Sequence, residues 1–244
     1  MNPNDIKFKI FFPQNVPDSD LAEFNQVYQL WYKIWLETRQ EVDPGLNTPS
    51  DSFGRQDEIV VIYMKDQPIG MQCHRYVDTF QSWITQDSYF MPKLWPQDAI
   101  KNFLKLGRYQ ILGSHIFIDP QFRKSSSGLS TKNILCSVAL THTFGTSADA
   151  LIGMMRKDRG LSDLFYKMGA TCLQPDVFWY KIPVDITAFL LKGPPLQVNP
   201  EYQIYIDGAR RDCLYFEKDI VIQNFRKGEL NESSRNASQK HKAA

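Results

Sequence analysis

Ile111-Leu-Gly-Ser-His-Ile-Phe-Ile-Asp119, Pro120-Gln-Phe-Arg-Lys-Ser-Ser-Ser-Gly-Leu-Ser130, a run to Phe144, Ala148-Asp-Ala-Leu-Ile-Gly-Met-Met155 and Gly160-Leu-Ser-Asp-Leu-Phe-Tyr-Lys-Met-Gly169 follow one another in the middle of the chain. Their spacing predicts a strand, a Ser/Gly turn, a helix, a second strand and a short helix in tight order. A turn of small residues that opens a helix directly after a strand leaves backbone N–H groups unpaired at one spot. The positive end of the helix dipole lies behind them. Such a turn is a ready place for a phosphate.

Working outward, Lys7 to Phe12 alternates as a first strand, closed by Pro13 and Pro17. A long helix follows, with Leu21, Phe24, Val27, Tyr28, Trp31, Ile34, Trp35 and Val42 on one stripe that reads as core packing against a sheet. Asp18, Ser19 and Asp20 offer N-caps, with Glu23 three residues after Asp20. Glu58 to Met64 and Ile69 to Val77 form two strands joined by Lys65-Asp-Gln-Pro68, a hairpin. Asp78 to Gln110 is a long aromatic insert in which Asp98 to Leu106 has the pattern of a short helix. Beyond Gly169, Val177 to Ile182 reads as a strand and Asp185 to Leu191 as a short helical or extended segment. Tyr202 to Ile206 and Asp212 to Phe216 read as a second hairpin around Asp207-Gly-Ala-Arg-Arg. The polar stretch 227–244 cannot offset its ordering entropy by burial and is expected to be disordered. Residues 1–226 are therefore taken as one domain, with an insert at 78–110 and a C-terminal extension at 184–226.

Composition sets aside several classes of function. With 28 Lys and Arg against 27 Asp and Glu in 244 residues, there is no electrostatic footprint for nucleic acid or an anionic membrane. No apolar segment approaches the roughly 18 residues a membrane helix needs, and the first residues lack the pattern of a signal peptide, so a cytoplasmic protein is expected. Cys73, Cys136, Cys172 and Cys213 lie far apart, and His74, His115, His142 and His241 lack metal-ligand spacing, so no metal is predicted.

The order β-α-β-β-β-α-β-α-β resembles the GNAT superfamily of acyl-CoA-dependent N-acyltransferases over roughly residues 5 to 183. The likeness rests on two local signatures. The strand ending in Pro120-Gln-Phe-Arg123 with the Gly128-Leu-Ser130 turn is similar to the family's strand end and its Q/R-x-x-G-x-G/A pyrophosphate loop. Ser125 stands for the Gln or Arg of that loop and Ser130 for its last small residue; both are small enough for close backbone approach. Leu164-Phe-Tyr-Lys-Met-Gly-Ala170 is similar to the family's LYEKLGF segment.

The resemblance implies an α+β fold, a central mixed but mostly antiparallel sheet flanked by helices. It also implies transfer of an acyl group from acyl-CoA or an acyl carrier protein to the primary amine of a small acceptor. Ile118, through the backbone of its strand, with Arg123, Lys124, Ser125, Ser126, Ser127, Gly128, Leu129 and Ser130, would bind the donor. Lys132 would add charge, and Arg159 stands where many relatives carry a donor-contacting asparagine. Tyr166 is taken as the tyrosine of LYEKLGF, the general acid toward the departing sulfur. His115 is a general-base candidate, since its ordinary pKa of about 6.5 suits proton removal; His74 or Glu58 are alternatives. The chain's size resembles larger relatives that acylate amino acids or homoserine lactone precursors, with Trp31, Trp35, Phe80, Trp83 and Phe90 available to line an acyl groove. The rival reading is a non-catalytic binding or regulatory protein on the same fold.

Overall fold

The computed structural model describes residues 2–90, 95–123 and 129–226. Its elements are β1 (Ile6–Phe11), α1 (Leu21–Gln40), α2 (Asp51–Gly54), β2 (Glu58–Met64), β3 (Gln67–Asp78), α3 (Gln97–Leu104) and β4 (Tyr109–Ile118), then α4 (Thr131–Phe144), β5 (Ala150–Arg156), α5 (Leu161–Lys167), β6 (Thr171–Trp179), β7 (Ile182–Leu190) and α6 (Gln203–Asp212). The strands form one seven-stranded sheet in the order β1-β2-β3-β4-β5-β7-β6. Only the β4–β5 pair is parallel. This is the mixed, mostly antiparallel α+β sheet expected from the sequence.

The run Ile59-Val-Val-Ile62 explains how both faces are covered. Side chains alternate across a strand, so Ile59 and Val61 join Val27, Trp31 and Phe53 under α1, while Val60 and Ile62 join Ile134, Val138 and Ile206 under α4 and α6. Burying all four leaves β2 apolar on both sides, and each contributes roughly 1.5–3 kcal/mol. The aromatic stripe of α1 thus packs as core. Asp20, expected as a side-chain cap, makes no capping hydrogen bond and instead pairs with Lys9 at 3.0 Å. The insert also packs inward, with Phe90, Trp95 and Phe103 beneath Ile152, Val184 and Ile186.

Three expectations are corrected. The strand expected at Val177 to Ile182 runs through a turn: β6 ends at Trp179, Tyr180 takes φ 54°, and Trp179 faces Ile182. That tight turn carries neither Gly, Pro nor Asn, so nothing in the apolar run marks it. Residues 184–190, read as the start of an extension, complete β7 inside the sheet. In place of the hairpin expected across Tyr202 to Phe216 stands the helix α6, whose buried Tyr205, Ile206 and Ala209 recur at helical spacing against β1 and α4, with the buried Cys213 just past its end. Asp207-Gly208, which reads as a turn, lies inside that helix. No helix among the described residues is long and apolar enough to cross a membrane. The expected disorder of 227–244 lies outside the described residues.

Candidate active site

β4 and β5 pair only over Gln110–Leu112 and Ala150–Ile152, and then part. A glycine stands in each strand at the fork: a Cβ at Gly153 would lie 2.9 Å from the Gly113 carbonyl oxygen, so a larger residue there would force the fork wider. On its other edge β4 carries a bulge. Ser114 faces Cys73 and Phe117 faces Met71, leaving His115 and Ile116 opposite Gln72 alone. His115 absorbs the extra residue with φ 50°, the left-handed region that costs a non-glycine residue free energy and clusters at functional sites.

Three adjoining cavities open from the fork, and Trp35 and Arg156 border all of them. The first, about 370 Å³, runs past Ile116 and Ile118 to a rim bearing Arg123, Lys132 and Arg159. The second, about 210 Å³, lies toward α2 and the insert and is lined by Arg39, Arg55, Arg75, Tyr89 and Trp179. A slot of about 70 Å³ joins them, walled by Gln72, Met154, Leu161 and Phe165. His115 borders the second cavity and the slot. A larger groove, about 810 Å³, lies between β1 and the end of α6. Its Lys7 is paired with Asp66, and its Lys9 with Asp20 and Glu23, and it holds no comparable set of reactive groups.

His115 stacks edge-on against Trp35 at 4.6 Å and Trp31 at 5.5 Å, and its Nδ1 is buried without a hydrogen-bond partner. Burial pushes its pKa down to about 3, with the charges of Arg39 and Arg55 adding to the effect. The imidazole is therefore neutral at neutral pH and keeps a lone pair available.

No family model matches the sequence, and no curated protein matches it. Solved structures do. The AHL synthase LasI superposes with a TM-score of 0.54 at 13% identity, over 83% of this chain and 95% of that one. The CoA-dependent acyl-homoserine lactone synthase BjaI, with SAM and isopentyl-CoA, gives 0.50 at 12% identity over 84% and 89%. Another CoA-dependent acyl-homoserine lactone synthase, MesI, gives 0.50 at 13% identity over 84% and 94%.

The chain has the GNAT fold.

Identity at this level establishes the architecture, and an architecture does not fix chemistry. Against the GNAT pattern, the expected donor residues divide. Ile118, Arg123, Ser130 and Arg159 line the 370 Å³ cleft, as does Lys132. Lys124, Ser125, Ser126, Ser127 and Gly128 lie outside the described residues. Leu129 packs into the core beneath α4 and does not border the cleft. Ser130 caps α4, its hydroxyl accepting from the Asn133 N–H at 3.4 Å. Arg159 is engaged by Glu41 at 2.8 Å, and Arg123 donates from Nε to the Ile118 carbonyl at 3.0 Å.

Tyr166 is not brought to the cleft. Its hydroxyl donates to Asp185 on β7 at 2.8 Å, and burial together with Cys172 and Asp185 raises its pKa. Counting back from Gly169, the LYEKLGF tyrosine falls on residue 165, and Phe165 is the side chain that walls the slot. Along a helix one residue is about 100° of rotation, which turns Tyr166 away.

His74 and Glu58 are fully buried and border none of the three cavities. Glu58 accepts from His74 Nδ1 at 2.7 Å and from His142 Nε2 at 3.0 Å. Of the aromatics offered for an acyl groove, Trp35 lines the site. Trp31 and Phe90 are core, while Phe80 and Trp83 are exposed on the insert. Arg39 and Arg55, which border the second cavity, carried no sequence signal, because they reach it from α1 and from the residue after α2.

Proposed function

We propose that this chain transfers an acyl group from a thioester donor, acyl-CoA or an acyl carrier protein, to a primary amine. The observation that carries this reading is the fork between β4 and β5, where a cleft lined by Arg123, Lys132, Arg156 and Arg159, with Glu37 and Glu41 opposite, meets a second pocket at one bulged strand. Arg123, Lys132 and Arg159, beside the start of α4, suit the phosphates of the donor's carrier arm. The arm then runs along Ile116 and Ile118 to the fork, and the first carbons of the acyl chain enter the slot by Met154, Leu161 and Phe165. The BjaI complex with isopentyl-CoA supports a CoA thioester as one donor for this architecture.

At the fork the amine attacks the thioester carbonyl. A backbone N–H of the bulged segment stabilises the oxyanion. The buried, unpartnered Nδ1 of His115 accepts the proton of the amine. Burial first, then Arg39 and Arg55, makes it a weaker base than the ordinary value that recommended it, and an anion beside those arginines restores part of its basicity. Phe165 cannot donate a proton to the sulfur, and none is required, because a thiol of ordinary pKa, about 8.5, departs readily as thiolate.

The test is release of free thiol when the protein is mixed with acyl-CoAs of graded chain length, or with acyl carrier protein, together with a pool of amines. The expected result is release that depends on both substrates. A donor that raises the melting temperature with concentration, yet releases no thiol with any amine, would identify a binding protein instead.

A further inference from the structure

We propose that the 210 Å³ pocket holds the carboxylate of the acceptor, so that the acceptor is an α-amino acid with an uncharged, apolar side chain. The proposal rests on the acyl-transfer reading of the same site and names its second substrate.

The pocket is lined by four arginines and by no carboxylate. Two of them are balanced by their own chain: Arg75 pairs with Asp87 at 2.7 Å and Arg156 with Asp158 at 2.6 Å. Among the described residues the other two form no ion pair, although the charge of Arg55 also helps lower the carboxyl of Asp87. Arg39 donates from Nη1 to the Asn47 carbonyl at 3.0 Å, while its Nε is buried with no partner. Arg55 donates from Nη1 to the Ser88 hydroxyl at 2.7 Å. Among the described residues no carboxylate reaches either guanidinium. Guanidinium groups without an ion-pair partner, one of them with a buried donor left unbonded, offer the planar fork that matches a carboxylate.

The place of the pocket says which substrate brings the anion. The phosphates of the donor have their own cations on the far side of the bulge, at Arg123, Lys132 and Arg159. An anion seated by Arg39 and Arg55 lies on the other side of His115, where the nucleophile must approach. The remaining walls, Trp35, Tyr89, Leu112, Met154, Trp179 and Val184, offer apolar surface for a side chain. A polyamine or a sulfonium-bearing amine would find no countercharge there.

The same charges help the chemistry. They favour the free amine over the ammonium as the reacting form. Once the carboxylate neutralises them, part of what depresses the basicity of His115 is removed. In the reaction the amine nitrogen bonds to the carbonyl carbon, the carbon–sulfur bond breaks with its electron pair going to sulfur, and one proton passes from nitrogen through His115 to the thiolate or to water.

The experiment compares leucine and phenylalanine with their methyl esters, with isoamylamine and phenethylamine, and with spermidine and S-adenosylmethionine, by thiol release. We expect kcat/KM at least about 100-fold higher for the free amino acids than for the amines lacking the carboxylate, because a site built to bond a group rejects its absence strongly. Arg55→Ala, at an exposed position, and Arg39→Ala should each raise the amino acid KM about tenfold or more and leave the donor KM unchanged. Equal use of phenethylamine and phenylalanine, or a preference for the sulfonium amine or spermidine, overturns the proposal, as does an unchanged KM in both variants. Calorimetric binding of phenylalanine without donor separates the two readings. Binding that Arg55→Ala abolishes supports the pocket even where no thiol is released, whereas thiol release to amines with no phenylalanine binding overturns the pocket and keeps acyl transfer.

Discussion

The bulge at His115 and the cluster around Glu58 both draw histidines off the surface, and they treat them in opposite ways. In the cluster every imidazole nitrogen is engaged. His74 bonds Glu58 through Nδ1 and Gln72 through Nε2 at 2.9 Å; His142 bonds Glu58 through Nε2 and accepts the Glu217 N–H at Nδ1, 2.8 Å. These bonds tie β2, β3, α4 and the segment after α6 together from the inside. At the bulge, His115 has a buried nitrogen with no partner, a left-handed backbone and the charges of Arg39 and Arg55 near it. Imidazoles bonded at both nitrogens stabilise a fold, even with Gln72 Oε1 beside them left unpartnered, whereas an unpartnered nitrogen at a strained residue costs free energy of the kind that clusters at functional sites.

The sharpest way to break this contrast is to remove Glu58. Glu58→Ala leaves buried imidazoles without their shared carboxylate and should cost about 3–5 kcal/mol of unfolding free energy, measured by urea titration. Burial alone would raise the carboxyl of Glu58, but His142 and His74 more than offset it and hold its pKa below the ordinary 4.5. A depressed carboxyl contributes stability that is present above the unfolded value and lost as pH falls through the folded one. The native chain should therefore lose stability progressively below about pH 4.5, and a Glu58→Gln variant should show a shallower slope over that window.

His115 should behave the other way round. His115→Asn keeps a side chain that tolerates positive φ, so the unfolding free energy should change by about 1 kcal/mol or less, while thiol release falls about 100-fold or more. A large loss of stability with unchanged turnover per folded molecule would erase the distinction between the two regions.

A smaller effect sharpens the boundary of the cluster. Asp57, next to Glu58, accepts the Tyr76 N–H at 2.7 Å, yet burial raises its pKa to about 6. A raised carboxyl contributes stability that is present below the unfolded value and lost as pH rises through about 6. Asp57→Asn retains the acceptor for Tyr76 and removes the charge. It should stabilise the protein by on the order of 1 kcal/mol at pH 8 and by less at pH 5, read from denaturant midpoints at the two pH values.

The strands and helix that flank the fork were legible in the sequence because they are strongly patterned, whereas the parting of the two strands was not. Ile111 to Ile118, the helix to Phe144 and Ala150 to Met155 are apolar runs of the right period, and Pro120 and the Ser/Gly turn separate them. What was hidden depends on backbone or tertiary geometry. Nothing in the identity of His115 announces a φ of 50° or a bulge opposite Gln72. β6 is an edge strand, and its Gln174-Pro-Asp176 interruption with two register shifts removes the alternation that would reveal it. In α6 the alternation of Tyr202, Ile204 and Ile206 imitates a strand, although the residues buried are those at helical spacing. Arg39 and Arg55 belong to different elements, and only folding sets them on one pocket. At Tyr166 and Phe165 an error of one position was enough to exchange a side chain in the site for one outside it.

Where a thioester donor seats on this chain is best measured by amide hydrogen exchange with and without a CoA thioether that cannot transfer its acyl group. The account predicts slowed exchange at 113–118 in β4, at 153–156 in β5 and over the first turn of α4, with β1 and α6 unchanged. Protection confined to β1 and residues 203–215, around the larger groove, would contradict it.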